Sequence, residues 1–395
     1  MKSTFLKLSI ALLSGVIIFS CSNNDEPTPP TSENLVTKKQ VIENYANIAL
    51  ANYTKAYEDA VVLETAIATF TTTPTQVNFD NAKAKWKLSR ESYGTTEAFR
   101  FANGPIDAEP NGPEGLMNSW PMDENFVDYV QGANLAGIIN NPIQFPSITK
   151  AILEGQNAQD IDEKNVTVGY HAIEFLLWGQ DLTAPQLNKP GQRPYTDYVV
   201  GATGTVTNQA RRAIYLNVCA DLLTDNLLYM VNEWKVGGAY RNTFLVLTEN
   251  IALKNMYLGI TTLISAELPT ERMTTALSNS DQEDEHSCFS DNRHRDIILN
   301  LQGVINVYQG KYGNIDGASL EDLVKQVNTQ AFIDTNDALT LSLAKVTSLL
   351  NPFDLAISGG ATTIEGAKVN AAALQLKNFG SNLLNGATKI GINVN

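Results

Sequence analysis

The chain has 395 residues and is 43% hydrophobic, enough for a sizeable core, so global disorder is excluded. It carries 42 acidic against 28 basic residues, a net charge of −14, which argues against a nucleic-acid partner and suits cations or basic ligands. Its three cysteines, Cys21, Cys219 and Cys288, do not make a disulfide framework.

In chain order, residues 1–20 read as a signal peptide: Lys2 and Lys7 precede an apolar run, Leu8 to Phe19, that is too short to span a membrane. The run ends Ile18-Phe19-Ser20-Cys21, which resembles a bacterial lipobox and implies lipid on Cys21. Residues 21–34, polar and Pro-rich, read as a flexible tether. Their Asn-Asn-Asp-Glu resembles the acidic stretch of some Bacteroidetes lipoproteins carried to the cell surface.

From there the periodicity is helical. Ile42, Tyr45, Ala49, Tyr53, Ala56, Ala60 and Ile67 mark one face of a long helix. Further helices are predicted over Asn78 to Phe101, Ala210 to Trp234, Thr243 to Ala266, Leu320 to Phe332, Asn336 to Leu350 and Thr363 to Leu384. The cleanest stripe runs from Ile297 to Tyr308. Gly104-Pro105 and Pro269 read as helix stops. Alternation bounded by hairpin turns is missing, so the expected fold is all-α. The Gly/Pro/Thr-rich stretch Leu187 to Asn208 suggests a break into two helical-bundle domains, 35–195 and 196–395. The irregular stretch Ser278 to Asn292 carries Cys288-Phe289 at its middle and reads as docked. Cys219 and Cys288 read as two separate buried thiols.

Three segments carry chemistry. In GYHAIEFLLWGQD, His171 and Glu174 stand three apart on one helix face, able to converge on one cation, or to form an ion pair, amid apolar neighbours. A dry carboxylate demands a counter-charge, which a metal or an arginine supplies. In DQEDEHSCFSDNRHRD, Ser290 or Asp291 fits as N-cap of the following helix, and His286 or His294 could add a third ligand; spacing leaves the choice open. In TTEAFRFANGPID, Glu97 and Arg100 are again three apart, as a structural bridge or as part of a site. His-Glu-x-x-His, Gly-x-Ser-x-Gly, phosphate-binding glycine loops and Cys-x-x-Cys do not occur.

GYHAIE resembles the Gly-x-His-x-x-Glu motif of the imelysin family. WKLSRESYGTTEAFRFANGPID, NSWPMDENFVDYV, GQRPYTDYV and DEHSCFSDNRHRD are similar to other blocks of that family, in order, between Trp86 and Asp296. The resemblance implies two helical bundles with a site where they meet, and a cell-envelope, outer-membrane setting. It implies His171 and Glu174 as the motif pair and Glu97, Arg100, Asp107, Ser290, Asp291 and His294 as block residues. The family is filed with metallopeptidases, yet many members are linked to iron uptake. Three functions follow as expectations. The first is capture of a metal ion or metal chelate, iron ahead of zinc, for an outer-membrane uptake partner. The second is a zinc-dependent metallopeptidase with Glu97 as base. The third is a non-metal peptide- or glycan-binding module built on Arg100.

Overall fold

The computed structural model describes residues 35–110, 112–157 and 163–394. The expected signal peptide, Cys21 and the tether lie outside the described residues. Helix α1, Lys38–Thr72, starts at a Thr37/Gln40 capping box and buries the expected stripe. Helix α2, Gln76–Gly94, stops earlier than periodicity suggests, in a tight 3-10 turn over Thr96–Phe99. Two causes act there. The hydroxyls of Thr95 and Thr96 bond the carbonyls of Ser92 and Tyr93, and a Cβ on Gly94 would lie 2.8 Å from Leu299 Cβ.

Helix α3, Gly169–Trp178, is buried along its whole length. Its ends are fixed from outside. The Trp86 indole donates to the Tyr170 carbonyl at 2.9 Å, and the Tyr198 hydroxyl to that of Leu176 at 2.7 Å. Gly169, at φ +86°, sits where a Cβ would meet the Met117 carbonyl oxygen at 2.5 Å. Helix α4, Gln209–Trp234, agrees with expectation.

The next expected helix does not end at Pro269. After a short helix at Ala239–Leu245, α5 spans Glu249–Thr262 and continues as a π-helix, Leu263–Thr274, with Pro269 inside it. The wider π turn gives the proline ring room that an α turn would deny it. Helix α6, Arg293–Gln309, ends at Gly310 in the left-handed conformation. Strand pairing among the described residues is confined to the hairpin β1–β2, Lys311–Tyr312 with Ile315–Asp316, and one isolated bridge. Helices α7, Leu320–Val327, and α8, Thr329–Thr347, are parted by Asn328, whose side chain caps Ala331. The short α9, Phe353–Ile357, and the long α10, Ile364–Lys389, complete the chain.

Helix α1 packs along α4 more extensively than any other pair, and next along α2. Helix α10 packs along α8 and the π-helix, and α6 joins the groups by touching both α2 and the π-helix. The expected break at 195/196 therefore does not mark a seam, because α1 and α4 come from opposite sides of it. Residues Val36–Asn395 form one compact unit. Cys219 and Cys288 are free and buried, and the 278–292 stretch is docked as expected, with Ser287 to Ser290 buried.

Gly169→Ala should lower unfolding free energy by about 1–3 kcal/mol in urea titration, from positive-φ strain and the Met117 clash. Gly155→Ala, where a Cβ meets open space inside a helix, should be neutral or stabilising by about 0.5–1 kcal/mol.

Candidate functional site

His171 and Glu174 have no exposed surface. They do not splay toward a shared point. His171 Nδ1 lies 3.1 Å from Glu174 Oε2, while Glu174 Oε1 accepts the Ser290 backbone N–H at 2.9 Å. Both carboxylate oxygens are thus engaged, and Ser290 binds Glu174 instead of capping α6. The N-cap position is Asn292, without a side-chain cap bond. Burial pushes the Glu174 carboxyl up to about 8, against the opposing pull of Ser290 and Arg90. Burial, with Arg90, Arg272 and Arg293 nearby, holds the His171 imidazole well below its ordinary value, so it is neutral.

The remaining ring nitrogen, His171 Nε2, is buried without a hydrogen-bond partner. Against the His171 ring stand Trp120, ring centroids 4.9 Å apart, and His286, 5.5 Å apart and nearly perpendicular. His286 Nδ1 also lacks a partner. Trp120 and His286 line a cavity of about 350 Å³ together with Asn118, Arg100, Glu114 and, from the π-helix and beyond, Glu267, Glu271, Arg272 and Asp284. His286, one of the two open alternatives, is therefore the histidine that meets His171. His294 instead faces a separate cavity of about 300 Å³ beside Ile298 and Val346.

Arg100 lines the same cavity, and Glu97 stands behind it, paired with two of its lining arginines. Glu97 pairs with Arg272 at 2.7 Å and more loosely with Arg100 at 3.8 Å, and accepts from Asn118 at 3.4 Å. Arg100 also pairs with Glu114 at 2.9 Å and Asp107 at 3.3 Å. Burial alone would raise the Glu97 pKa, but Arg272 and Arg100 outweigh it and hold the carboxylate below its ordinary value. A carboxylate so held is a poor general base. Arg272 additionally bonds Glu267 and Asn300. Arg90 bonds Asn118 at 2.6 Å and pairs with Asp296 at 3.0 Å, and Asp296 accepts from Ser287 at 2.6 Å. These contacts tie α2, the π-helix and α6 around the His171 pocket. Asp291 turns away, at φ +54°, toward Asp181 and Asp354.

The guanidinium groups lining the cavity are thus spent on ion pairs, and its carboxylates outnumber them: Glu114, Glu267, Glu271 and Asp284 against Arg100 and Arg272. Such a lining attracts cations. The histidines bring two ring nitrogens without hydrogen-bond partners. Among the described residues, no group of three or more His, Cys, Asp or Glu side chains stands at metal-holding spacing. Sequence reasoning offers His286 as one of two alternatives and misses Trp120, Asn118 and Arg272. Trp120 does fall within the NSWPMDENF block, the one signal that pointed to it.

The Imelysin (peptidase M75) family model matches residues 49–382. The chain belongs to the imelysin family. It is 24% identical over 308 residues to iron-regulated protein A of Synechococcus elongatus, covering 75% of this chain and 70% of that one. Two solved structures share the fold. One, named for an iron-regulated protein A precursor from Parabacteroides distasonis, superposes with a TM-score of 0.65 at 16% identity, over 91% of this chain and 98% of the other. An imelysin-like protein from Psychrobacter arcticum gives 0.65 at 12% identity, over 91% and 99%. This imelysin-family chain is helical as they are, and its Gly-x-His-x-x-Glu segment is the buried α3.

Glu174 binds a proton in the folded protein between its ordinary value of 4.5 and about 8, where the unfolded chain has lost it. Stability from this group is therefore full below 4.5 and falls as pH rises to about 8. Glu174→Gln should gain stability relative to the parent across that window, by at most about 1.4 kcal/mol per pH unit, and level off above it. A pH-independent difference in urea unfolding free energy would contradict the burial-driven shift.

Proposed function

We propose that this imelysin-family protein captures a metal cation, iron foremost and zinc second, as cargo for uptake. The observation that carries the reading is the pair of buried, unpartnered ring nitrogens, His171 Nε2 and His286 Nδ1, on rings 5.5 Å apart at the edge of an acidic cavity. Imidazole nitrogens suit iron or zinc, and here two rings meet edge to face with a nitrogen each left over. Glu174 then acts through His171. Above about pH 8, where Glu174 is ionised in the empty pocket, its carboxylate accepts a hydrogen bond from Nδ1–H, fixes the ring and leaves Nε2 bare, as carboxylates behind metal-bound histidines do.

Among the described residues two such nitrogens stand at this pocket, while the equally unpartnered His294 Nδ1 belongs to the residue facing the separate cavity, so the cargo keeps other ligands, water or a chelator, when it arrives. The acidic lining from Glu271, Glu267 and Asp284 favours entry of cations over anions. The related protein's name, iron-regulated protein A, supports iron over zinc. Among the described residues no helix is long and apolar enough to cross a membrane. We infer attachment to the cell envelope through lipid on Cys21, with an outer-membrane uptake partner receiving the metal.

In titrations of the purified protein with Fe(II), Fe(III) and Zn(II), His171→Ala and His286→Ala should each abolish tight binding. Glu174→Gln should weaken it about 10–100-fold, the usual cost of losing a carboxylate behind a ligating histidine. His294→Ala should leave it unchanged. Iron binding retained in both His171→Ala and His286→Ala, or absent from the parent protein, would overturn the reading.

A further inference from the structure

The loop that presents His286 has a second side. Asp284 and His286 face the cavity described above, whereas Asp281 and Glu283 line a separate cavity of about 500 Å³. Its opposite walls are the turn after α3, at 182–186, and α9. The polar lining is entirely oxygen-bearing: the carboxylates of Asp281, Glu283 and Asp354, the amides of Gln186 and Gln282 and the hydroxyls of Thr183, Ser280 and Ser358, with neither Lys nor Arg among them.

Two of these groups have acceptor oxygens left unused. Asp354 is only 4% exposed, and its Oδ1 has no hydrogen-bond partner. The Gln282 amide nitrogen is pinned by the Asp181 and Thr183 carbonyls at 2.9 and 3.3 Å, which leaves its Oε1 as the free end, buried and unpartnered. More negative charge stands behind. Glu285 is 2% exposed with Oε1 unpartnered, and Asp181 and Asp291 share a side-chain hydrogen bond, which two carboxyl groups can make only around a proton. Burial and then repulsion from Asp354 push Asp291 up to about 7, and burial with the Glu124 carboxyl beside it pushes Glu283 up to about 8. Buried carboxylate oxygens without a donor or counter-charge are costly, and here they border a cavity large enough for an ion with water.

We propose that this cavity binds a hydrated hard divalent cation of the calcium or magnesium class, held by Asp354 with Asp281, Glu283 and the Gln282 carbonyl oxygen. The donor set decides the class: it contains only oxygen, without the imidazole or thiolate that softer metals prefer. The spacing decides the hydration. Three carboxylates do not converge at metal-holding distance among the described residues, so water completes the shell, as it does around magnesium. The bound cation clamps the loop that carries His286 to the turn after α3 and to α9. This site is chemically distinct from the two-histidine pocket and does not depend on what that pocket captures.

The test is thermal melting and calorimetric titration of the purified protein with calcium chloride and, separately, magnesium chloride. One or both cations should raise the melting temperature. Asp354→Asn should abolish that rise and, without cation, melt no lower than the parent, because one repelling charge is gone. Glu283→Gln should weaken affinity at least tenfold and decides the matter should Asp354→Asn not fold. His171→Ala should keep the cation response, which separates this site from the histidine pocket. No shift with either cation in the parent, a full shift in Asp354→Asn, or unchanged affinity in Glu283→Gln would overturn the proposal.

Discussion

A single hydrogen bond between a carboxylate and an imidazole, both removed from water, governs what surrounds it. Helix α3 is too apolar to be anything but buried, and it takes His171 and Glu174 down with it. Once there, each must find a partner or bear the cost of dehydration. Glu174 finds two, the His171 ring and the Ser290 backbone N–H, and the second draws the 278–292 loop onto α3. That docking carries His286 to the face of His171. The pocket is thus a consequence of satisfying one buried acid.

Three of the four arginines near the site obey the same rule, and Arg293, buried with Nε and Nη1 unpartnered, is the exception. Arg90, Arg272 and Arg100 approach the site, yet each is matched: Arg90 by Asp296, Arg272 by Glu97 and Glu267, Arg100 by Glu114 and Asp107. These pairs link three helical elements, and breaking one by removing a single partner would leave an uncompensated buried charge. The π-helix contributes Glu267, Glu271 and Arg272 to the lining. An α-helix of the same sequence would distribute those side chains differently around its axis. The irregular turn is therefore part of how the cavity acquires its acidic rim.

Much of this was legible in the sequence, and the limits have physical causes. Long helices such as α1 and α4 follow from apolar stripes that only one period explains. The Gly-x-His-x-x-Glu segment stands out because an imidazole and an acid sit among Ile173, Phe175, Leu176 and Trp178. Its geometry was not legible: an i, i+3 spacing lets two side chains share a third party or bind each other, and here they bind each other. The choice between His286 and His294 depended on positive φ at Ser287 and Asp291, which sequence does not announce for Ser or Asp. Pro269 reads as a stop, and only the wider π turn lets the helix continue. The expected domain break rested on composition, whereas the packing of α1 on α4 crosses it.

The account turns on His171 Nε2 being a bare lone pair because an ionised Glu174 holds the proton on Nδ1. Nitrogen-15 chemical shifts of the histidine rings in metal-free protein, taken at about pH 9 where Glu174 is ionised, read the tautomer directly. The account predicts a neutral His171 protonated at Nδ1 and unprotonated at Nε2. A His171 ring carrying its proton on Nε2 under those conditions would contradict it.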